Sequence, residues 1–309
     1  MSDGGAALLE FLDVSKWYGQ VSALTDVTLR IEAGVTGMVG KNGAGKSTLM
    51  KLACGLLRPS QGAVLVDGRA PADDPAARAR LGVCPDIDQY YERLAGWRFV
   101  SWMLRYHGVG TRAADARAKE LLAELGLGDA MYRTIAGYSK GMRQRVKLAQ
   151  ALAHDPRIVL LDEPLTGLDP VARHEVGELI RRLAAGGRAV IVSSHVLHEL
   201  QAVADTVVLI HQGRLIAEGR VQDLRQQLEG RPLKLRLKSR EPRALASRLA
   251  PLDGVVAIHL QADGVLIETA GAHGLHERLT RLGAEPEGLI DEIAPMDDTL
   301  EAVFGYLVA

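Results

Sequence analysis

The chain has 309 residues, and its 37 Lys and Arg side chains nearly balance 38 Asp and Glu side chains, so the formal net charge is -1. At about 150 residues per domain, this length predicts two domains, and the balanced charge argues against a broad nucleic-acid-binding face. Two cysteines, Cys54 and Cys84, are too few for the disulfide framework of a secreted scaffold. The sequence also predicts neither a membrane-spanning helix, which needs ~18 apolar residues, nor a signal peptide.

The first part of the chain predicts short buried strands that alternate with helices. Strands are predicted at 7–13, 24–32, 35–39, 63–66, 158–161, 189–192 and 207–210, and helices at 47–57, 75–80, 113–125, 140–153, 171–185 and 196–203. The run at 158–161 is apolar without interruption, which is typical of a strand buried on both faces. Buried strands that alternate with helices predict a parallel sheet in an α/β domain.

A change of pattern near 222–232 predicts a domain boundary. We assign residues 1–222 to the first domain, the polar residues 223–231 to a linker, and residues 232–309 to a second domain. Elements in this second domain are predicted as strand 233–238, helix 242–250, strands 254–260 and 264–269, helix 274–282, strand 288–293 and helix 298–308. The order β-α-β-β-α-β predicts a small ferredoxin-like α+β domain.

A glycine-rich loop joins the strand at 35–39 to the helix that follows. Its residues fit the pattern G-x-x-x-x-G-K-[ST] and are Gly40, Lys41, Asn42, Gly43, Ala44, Gly45, Lys46 and Ser47. Glycines let the backbone N–H groups of such a loop surround a phosphate chain. We expect Lys46 to reach the β- and γ-phosphates and Ser47 to bind Mg²⁺. A chance glycine-rich turn is the alternative, and the strand–loop–helix context makes it the minor one.

Three further polar residues follow buried strands. Asp162 and Glu163 come directly after the strand at 158–161, and His195 follows the run at 190–194. Ligands of open α/β sheets bind at the carboxyl ends of the strands. We expect Asp162 to meet the Mg²⁺ held by Ser47, and Glu163 to orient or deprotonate a water molecule. The alternatives are that the two acids only open the next turn and that His195 is a solvated residue.

Further motifs carry a resemblance to a known family. Residues 138–145, YSKGMRQR, resemble the signature of ATP-binding cassette (ABC) ATPases, in the form found in ATPase subunits of ABC-2-type exporters. Residues 167–170 resemble the family's D-loop, residues 194–195 its switch histidine, and residues 16–19 the segment whose aromatic ring stacks on adenine. The resemblance implies a P-loop NTPase fold, namely an ABC nucleotide-binding domain, followed by an accessory domain.

The same resemblance implies a set of roles, with ATP and Mg²⁺ as the ligands. Tyr18 would stack on adenine, residues 40–47 and Thr48 would hold the phosphates, and Glu163 and His195 would serve ATP hydrolysis. The implied Mg²⁺ ligands are Ser47, Asp86 and Asp162. In a dimer, the signature residues of one subunit would act on the ATP of the other; these residues are Ser139, Lys140, Gly141 and Met142. Asp169 would be the D-loop residue. Ser139 is also a typical helix N-cap, and the two roles are compatible.

Asp86 departs from the family pattern, because a glutamine is usual at this loop. An aspartate can bind Mg²⁺ directly or through water, but it is shorter and charged. Gln89 could replace it only if the loop shifts, so we favour Asp86.

The chain has three Phe, three Trp and seven Tyr, and six of these thirteen lie within residues 90–106. We expect Phe99, Trp102 and Tyr106 to pack inward as a helical stripe, with Tyr90, Tyr91 and Trp97 nearer the surface. Tyr and Trp are common interface anchors.

The resemblance implies that residues 86–106 dock a membrane-spanning permease subunit supplied by another chain. The protein would then be a peripheral ATPase at the cytoplasmic face of the membrane. A homodimer is expected, with a heterodimer left open, and no nucleic acid partner is expected. A soluble ABC ATPase that acts as a regulator or mechanical factor, and an importer ATPase, are the alternative functions.

Overall fold

The computed structural model describes residues 7–220, 233–269, 275–284 and 288–295. The chain divides into two compact units between Gly219 and Arg220. The predicted linker at 223–231 and the predicted helix at 298–308 lie outside the described residues, so the domain boundaries stay a prediction. Among the described residues, no helix is both long enough and apolar enough to cross a membrane.

The first unit alternates strands and helices. In chain order its elements are β1 (Leu9–Tyr18), β2 (Val21–Ile31), β3 (Gly34–Val39), α1 (Lys46–Ala53), β4 (Gln61–Val66), α2 (Pro75–Arg78), β5 (Leu81–Cys84), α3 (Gly96–Tyr106), α4 (Thr111–Glu124), α5 (Lys140–Leu152), β6 (Ile158–Leu161), α6 (Pro170–Ala185), β7 (Ala189–Ser194), α7 (Leu197–Gln201), β8 (Thr206–His211) and β9 (Arg214–Arg220). Single 3₁₀ turns lie at Gly128–Tyr132 and Ile135–Gly137.

A six-stranded sheet forms the centre of this unit, in the order β5-β6-β7-β3-β8-β9. The neighbouring strands from β5 to β8 pair in parallel, which confirms the α/β prediction. Because parallel strands end at the same edge, the chain segments that follow β3, β5, β6 and β7 meet there.

The sequence analysis did not predict β5, and a close helix contact explains why this strand contains a glycine. A Cβ atom on Gly82 would lie 2.1 Å from the carbonyl oxygen of Ala151 on α5. Gly82 therefore lets α5 pack directly on β5. Because glycine has no side chain, it also interrupts the apolar pattern by which a strand is recognised in the sequence.

A second, antiparallel sheet has the order β2-β1-β4. β1 runs on to Tyr18, well beyond the predicted end at residue 13. The prediction ended too early because the pairing of β1 with β2 shifts register between Phe11 and Val14. Asp13 has a φ of 48° at this irregularity, which breaks the alternation of side chains. Apolar residues of this sheet, of α1 and of the central strands share one core, including Phe11, Leu49 and Leu160.

The aromatic stripe of α3 packs only in part as predicted. Phe99 is buried, but Trp102 is 42% exposed and Tyr106 is 79% exposed, so the expected inward stripe is wrong for these two residues. The buried face instead includes Val100 and Ser101, and on this side the Ser101 hydroxyl donates a hydrogen bond to Asp115 of α4 at 2.5 Å.

The second unit contains β10 (Leu233–Lys238), α8 (Pro242–Leu249), β11 (Val255–Gln261), β12 (Gly264–Thr269), α9 (Leu275–Ala284) and β13 (Glu292–Pro295) among its described residues. The strands pair antiparallel in the order β11-β12-β10-β13. The element order and pairing confirm the predicted ferredoxin-like topology. Leu237 and Ile267 of the sheet share a buried core with Leu245 of α8 and Leu279 of α9.

Candidate functional site

The loop between β3 and α1 is tightly packed at two of its glycines. A Cβ on Gly40 would lie 2.6 Å from the carbonyl oxygen of Ile210, and a Cβ on Gly45 would lie 2.7 Å from Leu24 Cδ2. Gly45 also has a φ of 113°, which other residues rarely adopt. No side chain caps the N-terminus of α1, which begins at the next residue. The first N–H groups of such a helix favour an anion.

A cleft of about 200 Å³ lies against this loop. Its lining residues are Ala23, Lys41, Asn42, Gly43, Gly45, Lys46, Ser47, Thr48, Asp86, Asp162 and Glu163. The structure therefore brings together three separate segments that the sequence analysis selected: the glycine-rich loop, the carboxylates after β6, and the loop after β5. Tyr18 is not among the lining residues; it is exposed at the end of β1, with the Lys16 ammonium 5.6 Å from its ring centroid.

Lys46 places a buried ammonium group beside the cleft. Its side chain is 6% exposed, and Nζ donates a hydrogen bond to the Gly40 carbonyl at 2.5 Å. The same Nζ lies 3.5 Å from Glu163 Oε1. An ammonium group has three N–H donors, so it can hold the loop and also meet an anion in the cleft.

Asp162 is held from both sides by hydroxyl groups. Ser47 donates a hydrogen bond to Asp162 Oδ2 at 3.1 Å, and Ser193 donates one to Oδ1 at 2.6 Å. Ser193 is completely buried, and its oxygen also accepts a hydrogen bond from the Glu163 N–H at 2.8 Å. Ser193 thus fixes both carboxylate residues, and the sequence analysis missed it. The available signal was a hydroxyl within the apolar run just before His195.

Glu163 sits in an unusual backbone conformation with a well-defined side chain. Its φ is 49°, in the left-handed region that residues with a side chain seldom occupy. Oε2 accepts a hydrogen bond from the Thr166 hydroxyl at 2.9 Å and lies 3.0 Å from Nδ1 of His195. Oε1 is buried without a hydrogen-bond partner among the described residues. The positive charge beside it is the Lys46 ammonium, 3.5 Å away. The predicted pair of Glu163 and His195 is therefore in contact.

The oxygen atoms at this edge suit Mg²⁺. The Ser47 hydroxyl and the Asp162 carboxylate are adjacent, and Asp86 lines the same cleft. Hard oxygen donors are what Mg²⁺ prefers, and it commonly takes one or two carboxylates together with phosphate oxygens. Within the described ranges, no group of three or more His, Cys, Asp or Glu side chains could hold a metal by itself. The residues present fit a Mg²⁺ that is shared with a phosphate chain.

The signature and D-loop segments are not among the residues that line this cleft. Ser139 caps α5, since its hydroxyl accepts a hydrogen bond from the Met142 N–H at 3.3 Å, as predicted. Asp169 caps α6 by accepting a hydrogen bond from the Ala172 N–H at 2.9 Å. Both caps are exposed, and neither lines the cleft.

Comparison with known proteins gives consistent matches along the chain. A family model described as ABC transporter matches residues 24–166. The chain is 40% identical over 207 residues to the ABC transporter ATP-binding protein NatA of Bacillus subtilis, which covers 66% of this chain and 84% of NatA. It is 35% identical over 297 residues to the daunorubicin resistance ATP-binding protein DrrA3 of Streptomyces coeruleorubidus, which covers 94% of this chain and 93% of DrrA3.

Solved structures agree with these matches. An ATP-binding subunit of an ABC transporter aligns with a TM-score of 0.66 and 33% identity, over 72% of this chain and 93% of its own. A dimeric bacterial ABC transporter cassette aligns with a TM-score of 0.64 over 69% of this chain and 98% of its own, and at 24% identity it supports the fold alone.

Proposed function

Because this chain belongs to the ATP-binding proteins of ABC transporters, we propose that it hydrolyses ATP in the cleft described above to drive export through a membrane permease. The observation that carries the proposal is the group formed by Lys46, Ser47, Asp162, Glu163 and His195, which unites a phosphate-binding loop with two carboxylates and a histidine.

The nucleotide would lie along the glycine-rich loop. Residues 40–48 would surround the phosphates with backbone N–H groups, and the Lys46 ammonium would neutralise their charge. Tyr18, exposed at the end of β1, would offer its ring to adenine. Ser47, Asp162 and Asp86 would hold Mg²⁺, which supplies positive charge to the β- and γ-phosphates when it is bound.

Glu163 would act on the water molecule that attacks the γ-phosphate. Its Oε2 is fixed by Thr166 and His195, so the carboxylate is already oriented before the reaction. A carboxylate in this position can orient the water and accept its proton. His195, whose ring is partly exposed beside Glu163, would contact the γ-phosphate.

Two subunits would complete each site. Residues at the start of α5 form a second helix N-terminus suited to an anion; these are Ser139, Lys140, Gly141 and Met142. Since these residues do not line the cleft of their own chain, they would close over ATP bound to the other subunit. We propose a homodimer, with pairing to a different ATPase chain as the other outcome of a co-purification experiment.

The permease would dock on residues 86–106. Tyr91, Trp102 and Tyr106 are exposed there, and the Tyr91 and Trp102 rings meet with centroids 6.3 Å apart. Exposed aromatic side chains of this kind are common anchors of protein interfaces. The protein would then be peripheral at the cytoplasmic face of the membrane. Export is favoured because curated relatives include proteins named for daunorubicin resistance and for Nod factor export.

Glu163→Gln tests the hydrolytic role. Removing the carboxylate charge while keeping the shape of the side chain should lower ATP turnover at least about 100-fold. Nucleotide binding should remain, so an ATP-bound dimer should accumulate in size-exclusion chromatography. Glu175→Gln is the matched control, because Glu175 pairs with Arg145 and does not line the cleft. Undiminished turnover in Glu163→Gln would contradict the role.

Substitution of the exposed aromatics tests the docking surface. A Trp102→Ala, Tyr106→Ala double variant should keep its ATPase activity but lose its membrane partner when the complex is purified from detergent-solubilised membranes. Tyr132→Ala is the control, because Tyr132 is also exposed but lies outside residues 86–106. Recovery of ribosomal particles with no membrane protein would instead support the alternative of a soluble mechanical factor.

A further inference from the structure

Lys147 is a buried lysine that binds the loop after β5 from the side of α5. Its side chain is 8% exposed, and Nζ lies 3.0 Å from Asp88 Oδ1. The same nitrogen donates hydrogen bonds to the carbonyl oxygens of Pro85, at 3.2 Å, and Asp86, at 3.0 Å. The ammonium group therefore has three acceptors for its three N–H donors.

This arrangement constrains the loop strongly. A buried charge is stable only when it is paired and hydrogen-bonded, so each of the three contacts resists displacement. All three acceptors lie within residues 85–88, and the side chain of Asp86 in this segment lines the cleft. An aspartate side chain has only two rotatable bonds, so the position of its carboxylate follows closely from the position of its backbone.

Two neighbouring residues of α5 contact the chain on either side of residues 85–88. The Gln144 amide nitrogen lies 3.6 Å from Cys84 Sγ, where β5 ends. The Tyr90 hydroxyl donates a hydrogen bond to the Arg143 carbonyl at 2.8 Å. The chain from Cys84 to Tyr90 is thus attached to α5 at three places.

We propose that Lys147 is a positioning residue for ATP hydrolysis, which sets the Asp86 carboxylate at the Mg²⁺ side of the cleft. Ser139 caps α5, so the same helix connects the signature segment at its N-terminus with Asp86 through Lys147. A movement of α5 would therefore carry Asp86 with it. The inference rests on the proposed function, since it assumes that a nucleotide-bound metal lies beside Asp86.

The test compares Lys147→Met with Lys119→Met. Methionine keeps the approximate length of the side chain but removes all three donors. Lys119 is the matched control, because its ammonium contacts the rings of Trp97 and Tyr132 rather than the loop. The first readout is the affinity for Mn²⁺ in the presence of a non-hydrolysable ATP analogue, measured by electron paramagnetic resonance. The second is ATP turnover, and the third is the melting temperature.

We expect Lys147→Met to weaken Mn²⁺ binding and to lower turnover by about tenfold each, the usual effect of removing a residue that orients a metal ligand. Lys119→Met should change the melting temperature alone. A double variant tests whether Lys147 acts through Asp86. If it does, adding Lys147→Met to Asp86→Ala should weaken Mn²⁺ binding no further than Asp86→Ala alone. Asp88→Asn removes the negative charge opposite Lys147 but keeps an oxygen acceptor. It should give a smaller loss, which keeps the test available if Lys147→Met does not fold.

Unchanged Mn²⁺ affinity in Lys147→Met, or a further loss in the double variant, would overturn the inference. Either result would leave the proposed function intact, because ATP turnover by the unchanged chain tests that function separately. Absence of ATP turnover in the unchanged chain would remove both proposals.

Discussion

Ser193→Ala removes the hydroxyl that joins the two carboxylate residues of the cleft. In the native protein this hydroxyl donates to Asp162 Oδ1 at 2.6 Å and accepts from the Glu163 N–H at 2.8 Å. Alanine fills nearly the same space, so the variant isolates the hydrogen bonds from the packing. We expect both a loss of stability and a loss of ATP turnover.

The size of the stability loss follows from the two bonds. A hydrogen bond to a charged group contributes about 1.5–3 kcal/mol, and a buried N–H left without a partner costs about 1–3 kcal/mol. Because the two effects share one hydroxyl and are not fully additive, we expect a loss of about 2–4 kcal/mol in the free energy of unfolding. Glu163 would also lose the bond that holds its left-handed backbone, which itself costs about 1–3 kcal/mol to maintain.

The assay separates a catalytic effect from a general loss of stability. Ser101→Ala is the control, because the buried Ser101 hydroxyl donates a similar bond to Asp115 at a distance from the cleft. Both variants should lower the free energy of unfolding in urea. Only Ser193→Ala should also lower turnover, by about 10- to 100-fold, since small displacements of catalytic groups have effects of that order. Equal turnover in the two variants would refute the reasoning.

Three further predictions follow from the geometry. Gly45→Ala should weaken binding of an ATP analogue in calorimetry and lower the melting temperature more than Gly68→Ala does. Gly68 also has a positive φ, but a Cβ there would meet open space. Equal effects of the two substitutions would contradict the predicted clash of a Cβ at position 45 with Leu24. Burial and the stacked ring of His107 lower the pKa of His154 from its ordinary 6.5. The unfolded chain therefore binds the proton more readily, so the free energy of unfolding should fall as pH decreases below about 6.5, and His154→Gln should flatten this dependence in urea titrations at several pH values. Burial raises the pKa of Cys84 to about 12, so its thiol should resist iodoacetamide at neutral pH until the protein is unfolded, as mass spectrometry can measure.

The cleft could be predicted where its residues are contiguous in sequence. The glycine-rich loop dictates its own backbone conformation, and Asp162 and Glu163 follow a strand whose apolar run is unmistakable. Ser193 could not be found in this way, because its role arises from contacts with residues about thirty positions away on the neighbouring strand. A hydroxyl inside an apolar strand carries no local signal of its partners.

The helix α3 illustrates the opposite failure. The spacing of Phe99, Trp102 and Tyr106 correctly predicts a helix, yet only Phe99 is buried. Spacing identifies side chains on one face but not which face meets the rest of the domain. The hydrogen bond between Ser101 and Asp115 of α4 belongs to the buried side, and that contact depends on a separate helix.

The pair formed by Lys46 and Glu163 has a consequence for how tightly a nucleotide is held. Glu163 Oε1 lies 3.5 Å from the Lys46 ammonium, and both side chains are largely shielded from water. In the proposed function, Glu163 would therefore compete with a γ-phosphate for the same ammonium group. The carboxylate is thus an internal counter-ion of Lys46, and nucleotide affinity would include the cost of weakening this pair. After hydrolysis, the ammonium would return to Glu163 as the cleaved phosphate departs. The residue expected to promote the reaction would then also favour release of its product.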